Sequence, residues 1–130
     1  QLVTVLNKHQ LPPRDPDLTL VPIQRGTPLG NPLGMRGEAE RGLVIDGFAE
    51  ILEDGRSPLE VARDYTPPLR IHDGTARVTG EQRKEMLGRV LSLMLRGRRV
   101  GLVCACAPLA CHGDVIAAKL VRMYCDIASP

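Results

Sequence analysis

The clearest hydrophobic periodicity lies in the second half of the chain. Across Gly80–Arg96, Leu87, Val90, Leu91 and Met94 recur at the spacing that lines one face of a helix. Thr79-Gly-Glu-Gln82 supplies a capping box before this run, and Gly97 stands just past its end. Arg99–Cys106 then loses almost all polar alternation, which predicts a buried strand. Ala107–Cys111 reads as a turn. His112 or Gly113 opens a last helix to about Ile127, with Ile116, Leu120, Met123, Tyr124 and Ile127 on its apolar face. Helix, strand, tight turn and helix in this order are the local grammar of a mainly parallel sheet.

The first half is more broken. Leu2–Leu6 and Leu18–Ile23 read as short strands, with Pro22 marking an edge or a strand end, and the proline-bearing Asn7–Asp17 as the loop between them. Glu38–Glu53 carries Leu43, Ile45, Phe48, Ala49, Ile51 and Leu52 near helical spacing, with Gly55 as a stop. Ser57-Pro-Leu-Glu60 is a second capping box, with proline at the first helical position, opening a short helix to about Tyr65. Thr66–Val78 reads as irregular. The expected fold is a small single α/β domain over 1–130, a mainly parallel sheet with flanking helices in Rossmann-like style.

Composition narrows the function classes. A chain of 130 residues has no room for two independent catalytic domains. Hydrophobic residues at 43% and charged residues at 25% are ordinary for a globular chain. No apolar run approaches the ~18 residues of a membrane span, and the first five residues lack the layout of a signal peptide. The net charge of +2 is too small to mark a nucleic-acid footprint. Arg96, Arg98 and Arg99, with Lys84 and Arg89, read as a solvated helix end. With Phe48, Tyr65 and Tyr124 as the whole aromatic content, base-stacking platforms are nearly absent, which argues against nucleic acid as a partner.

Cysteine placement is more telling. Cys104, Cys106 and Cys111 fall within eight residues and His112 follows at once, while Cys125 stands apart. A secreted scaffold would spread its cysteines to tie distant loops together, so the clustering predicts a reducing, cytoplasmic setting and a local site. Cys104 and Cys106, two apart on a strand, face the same way. The site sits where the strand's carboxyl end meets a turn and a helix start, the usual ligand position in open α/β sheets. Free N–H groups at the helix start favour an anion and a thiolate.

Three kinds of chemistry compete for this cluster. In the first, Cys111 or Cys106 is a thiolate nucleophile, His112 an acid/base and Asp114 its orienter. In the second, Cys104, Cys106, Cys111 and His112 hold structural zinc. Zinc ligands usually come in pairs on two separate arms, however, and four ligands in nine residues, two of them adjacent, would strain one tetrahedron. In the third, the cysteines are small hydrophobes in a core, the favoured reading for Cys104, and Asp114 merely complements a helix dipole.

A second segment, Arg25-Gly-Thr-Pro-Leu-Gly-Asn-Pro-Leu-Gly34, has three glycines and two prolines in ten residues and is a shaped loop. Its glycines permit close backbone approach to a ligand, with Arg25 as an anion partner and Asn31 as a directional hydrogen-bonder. A proline-stiffened turn whose glycines serve geometry alone explains the same residues. Neither a dinucleotide fingerprint nor a P-loop pattern occurs. His9 and His72 lie in polar loops and read as solvated, and the acidic residues from Glu38 to Asp54 as the outer face of a helix.

Together the two segments resemble a family, domain of unknown function 4326. The resemblance rests on Arg25-Gly-Thr-Pro-Leu-Gly-Asn-Pro32, on Cys104-Ala-Cys-Ala-Pro108-Leu-Ala-Cys-His-Gly-Asp-Val115, and on the opening strand at Val3–Asn7. Residues 53–78 look like an insertion or divergent stretch, and Ala105 stands where an aromatic is often found. The family brings no settled activity. The resemblance implies one site built from both segments: Arg25, Gly30 and Asn31 on one side, and Cys106, Cys111, His112 and Asp114 on the other. The favoured expectation is therefore a pocket for a small anionic or nucleotide-like ligand, held by Arg25, Asn31 and the Cys111–Asp114 backbone, Gly113 included. Cys111 and His112 form its reactive pair, and no cofactor is favoured. The alternatives are a non-enzymatic domain with structural zinc, and a small interaction protein of phage or mobile-element type acting on an unidentified protein partner.

Overall fold

A computed structural model describes residues 2–107 and 109–128; Pro108 of the cysteine motif and the terminal Gln1, Ser129 and Pro130 lie outside the described residues. The chain runs β1 (Val3–Asn7), β2 (Leu18–Pro22), β3 (Leu33–Gly34), a 3₁₀ turn (Glu38–Glu40), α1 (Arg41–Asp54), α2 (Pro58–Arg63), β4 (Arg70–Ile71), α3 (Asp73–Ala76), α4 (Gly80–Leu95), β5 (Arg99–Cys104) and α5 (His112–Ala128).

β5 lies at the centre of a three-stranded parallel sheet of order β1-β5-β2, with Val5 and Val21 both in register with Leu102. This is the α/β, mainly parallel arrangement that the sequence predicts. Alternation divides the sheet into two faces. Val3, Val21, Val100, Leu102 and Cys104 enter a core with Phe48 of α1, Leu87, Val90 and Met94 of α4, and Ile116 and Leu120 of α5. On the other face Leu6 and Leu20 close over Gly101, where a Cβ would stand 2.6 Å from Leu6 Cδ1 and 3.1 Å from Leu20 Cδ2.

The helix boundaries follow local chemistry. Thr79 and Ser57 each make the full capping box that the sequence announces. Gly55 and Gly97 terminate α1 and α4 with φ of +69° and +84°, a region costly for any residue with a Cβ.

Two stretches differ from expectation. Leu33–Gly34, inside the presumed loop, pairs antiparallel with Arg70–Ile71, and Asp73–Ala76 forms one helical turn, so 66–78 is not wholly irregular. Strands two residues long have no periodicity to betray them, and this pairing joins segments remote in sequence. The 53–78 segment also builds a second core, in which Val61, Ala62 and Leu69 meet Leu33, Val44 and Ile51. Among the described residues no helix is long and apolar enough to cross a membrane.

Candidate functional site

Three loops leave the carboxyl edge of the sheet together. β1 ends at Asn7, whose Nδ2 donates to the carbonyl of Ala107 at 2.7 Å and thereby holds the chain beyond β5 in place. β2 is prolonged by the Ile23 N–H, which donates to the carbonyl of Val103 at 3.0 Å, before Gln24 and Arg25 turn away. β5 ends at Cys104, so Cys106 lies past the strand and not within it, as the predicted range had it. Between these loops and α1 opens a cavity of about 260 Å³. Leu33, Met35, Val44 and Ile45 form its apolar side, and Gln24, Arg25, Asn31 and Arg41 its polar side. Cys104, Ala105, Cys106, Cys111 and His112 complete it.

The three sulfurs gather because the chain folds back after β5. Cys104 and Cys111 are buried, their Sγ atoms 3.3 Å apart, and Cys106 is half-buried. All three Sγ atoms lie within 4.8 Å of one another and could hold a metal ion. His112 is not part of this group. Its Nε2 lies 2.7 Å from the carbonyl oxygen of Ile23, and its ring meets Phe48 edge-on at 5.0 Å. Burial lowers the His112 pKa against the pull of the Ile23 and Leu29 backbones, so the ring is neutral near pH 7 and donates to Ile23.

Cys111 caps α5. Its Sγ accepts from the Gly113 N–H at 3.2 Å, while its own N–H donates to Asp114 Oδ2 at 3.2 Å, an arrangement like a capping box with sulfur in place of a hydroxyl. The expected lowering of this thiol is reversed. Burial and the neighbouring Cys104 outweigh the Gly113 N–H and push Cys111 up to about 12. With its thiol protonated and His112 turned to Ile23, Cys111 and His112 are not arranged as a nucleophile and its base. Asp114, proposed to orient His112, is exposed, serves the helix cap and does not line the cavity. Gly113 does not line it either; a Cβ there would meet Ile23 Cδ1 at 2.9 Å and Val5 Cγ1 at 3.1 Å, so it lets α5 start against the sheet.

In the glycine-rich loop, Arg25 reaches the cavity and Gly30 does not. A Cβ on Gly30 would stand 2.6 Å from the Gln24 carbonyl oxygen, so this glycine closes the turn that presents Arg25. Gly34 leaves space for the Arg25 guanidinium, whose Nη2 would be 3.3 Å from a Cβ placed there. Asn31 borders the cavity but also braces it: Nδ2 donates to the Val44 carbonyl at 3.0 Å, and Oδ1 accepts from the Leu33 N–H at 2.9 Å. The Gly26 N–H donates to Oγ1 of fully buried Thr75 at 2.8 Å, and that oxygen lies 2.6 Å from His72 Nδ1. His72 is thus the cap of α3 and an anchor of the loop, not a solvated side chain.

Sequence reasoning missed Arg41. It opens α1 and pairs with Glu38, and its Nη1 donates to the Ala110 carbonyl at 2.9 Å across 69 positions of sequence. Glu38, and then Cys106, raise the Arg41 pKa, which places the guanidinium beside the least buried thiol of the cluster. The three-residue spacing of Glu38 and Arg41 suits an ion pair, but nothing local points to Ala110.

The family described as Domain of unknown function (DUF4326) matches residues 7–122, from the end of β1 into α5. The chain belongs to the DUF4326 family. The match spans both motif segments of the DUF4326 domain together with the 53–78 segment between them. No curated protein and no solved structure matches the chain.

Proposed function

We propose that this DUF4326 domain binds a small anion-bearing molecule in the cavity at the carboxyl end of β5, with Arg25 as its charged anchor and Arg41, already paired with Glu38, as a second cation at its wall. One observation carries this: two guanidinium groups border a largely apolar cavity, and Arg25 has no carboxylate partner among the described residues. A guanidinium at such a wall takes a phosphate or carboxylate in paired hydrogen bonds. The position agrees with the general placement of ligands beyond the carboxyl ends of parallel strands.

The volume limits the ligand. About 260 Å³ lies just below the ~300–1,000 Å³ usual for drug-sized ligands, which favours a compact molecule, at most a single nucleotide. Leu33, Met35, Val44 and Ile45 would receive its carbon part, and Gln24 and the unused amide hydrogen of Asn31 would orient it. Cys106, half-buried beside Arg41, is the thiol that meets the ligand. Cys111, His112 and Asp114 hold the frame.

A thermal-shift panel of phosphate- and carboxylate-bearing small molecules tests the proposal. At least one class should raise the Tm of the wild-type protein and leave R25Q unmoved. Equal shifts for R25Q and wild type, or no shift with any anion, would overturn it.

A further inference from the structure

We infer that Cys104, Cys106 and Cys111 form a three-thiolate site for a thiophilic metal ion of the zinc class, with a coordination position left open to the cavity. The inference rests on the sulfur cluster and stands apart from the anion proposal. Zinc–thiolate bonds of about 2.3 Å place the sulfurs of a regular tetrahedron roughly 3.8 Å apart. The Cys104–Cys111 separation of 3.3 Å and the 4.8 Å bound on all three bracket that value, so small side-chain rotations bring the set around one ion.

The spacing objection raised from sequence does not apply to these three. Cys104 closes a strand, Cys106 lies on the loop and Cys111 caps a helix, so the sulfurs come from three backbone settings. His112 is not part of the set: its Nε2 is engaged by Ile23 and its ring packs edge-on against Phe48. Among the described residues no other histidine, cysteine or carboxylate joins the group. A fourth ligand must therefore come from solution, and all three cysteines line the cavity through which it would arrive.

The surroundings suit an electron-rich sulfur cluster. The Gly113 N–H already donates to Cys111 Sγ at 3.2 Å, and Arg41 lies against Cys106. A divalent ion on three thiolates carries one net negative charge, which the Arg41 guanidinium opposes. Such outer donors commonly support thiolate-bound metals. A site with three protein ligands and one open position has the coordination of catalytic zinc, whereas structural sites are closed.

The experiment is cobalt(II) titration of the metal-free full-length chain. One equivalent should produce a thiolate-to-cobalt charge-transfer band and the visible bands of tetrahedral cobalt, both bleached by zinc. C106S, outside the strand and half-buried, should retain the native circular dichroism and weaken binding by more than about tenfold. C125S should leave the spectrum unchanged. Added azide should shift the visible bands by taking the open position. Absence of the charge-transfer band, an unaltered band in C106S, an altered band in C125S, or indifference to azide would each overturn the inference as stated.

Discussion

The Nε2 of His112, at the first residue of α5, lies 2.7 Å from the carbonyl oxygen of Ile23, just past the end of β2. This bond ties the helix that begins within the cysteine-histidine motif to the strand that leads into the arginine-glycine loop, so the two motif segments share one frame. His112 is 8% exposed and neutral near pH 7. Replacing it with Ala strands a buried carbonyl and opens a void beside Phe48, which should cost about 2–4 kcal/mol in urea unfolding. The pH dependence has a definite sign. Burial lowers the folded-state pKa below 6.5, so on acidification the unfolded chain takes up a proton before the folded one does. Stability contributed by the neutral ring is present above pH 6.5 and is lost as pH falls below it. H112Q should flatten that acid limb below pH 6.5, measured as the midpoint of urea unfolding against pH.

Asn7 governs the loop that carries Cys106. Its amide donates to Ala107 while its Oδ1 accepts from the His9 N–H at 2.8 Å, bridging the two loops. N7A should cost about 1–2 kcal/mol of stability. It should also raise the rate at which a small alkylating reagent modifies Cys106, because the 105–107 segment loses its tether. An unchanged rate would mean that other contacts suffice to hold the loop.

The four thiols of the metal-free protein should react in an order set by burial and protonation. Cys125 is exposed and Cys106 half-buried, whereas Cys104 and Cys111 are buried. Cys111, pushed up to about 12, stays protonated at pH 8. Iodoacetamide at that pH, followed by peptide mass spectrometry, should label Cys125 first, Cys106 next, and Cys104 and Cys111 only on unfolding. The raised thiol also sets an alkaline limit. Between about pH 9 and 12 the unfolded chain releases this proton while the folded one keeps it, so stability should fall as pH rises through that window.

Glycine substitutions separate positions that shape the site from positions that do not. G30A sets a Cβ 2.6 Å from the Gln24 carbonyl, a backbone atom that cannot swing aside, and should cost about 1–3 kcal/mol while displacing Arg25. G42A and G88A, on α1 and α4, meet nothing within 4 Å and should stabilise the chain by up to about 1 kcal/mol each. Thermal unfolding of the three variants measures both signs.

The sheet and its helices were legible because their signals are local. The run from Val100 to Cys104 has no polar alternation, Thr79 and Ser57 stand three residues before Gln82 and Glu60, and Gly55 and Gly97 mark helix ends. β3 and β4 were not legible, since Leu33 and Ile71 recognise each other only after the chain has folded. The union of the cysteine turn with the Arg25 loop was suggested by motif resemblance, and both segments do border one cavity. The roles within it were harder to read. A helix start that would lower an exposed thiol acts on Cys111 in a buried setting, where desolvation prevails. Asn31 looked like a ligand contact and also braces Val44 and Leu33, and Arg41 went unread because its reach to Ala110 exists only in the folded chain.

The central claim is that Arg25 holds an anion in the cavity at the end of β5, with Arg41 beside it. The most direct measurement is the change in backbone amide resonances of the isotopically labelled chain on titration with inorganic phosphate, followed by the best compound of the thermal-shift panel. Saturable shifts should concentrate at Gln24, Arg25, Asn31, Arg41, Ala105 and Cys106, and should vanish in R25Q. Shifts confined to other arginines, such as Arg89 or Arg96, or shifts that survive unchanged in R25Q, would contradict the account.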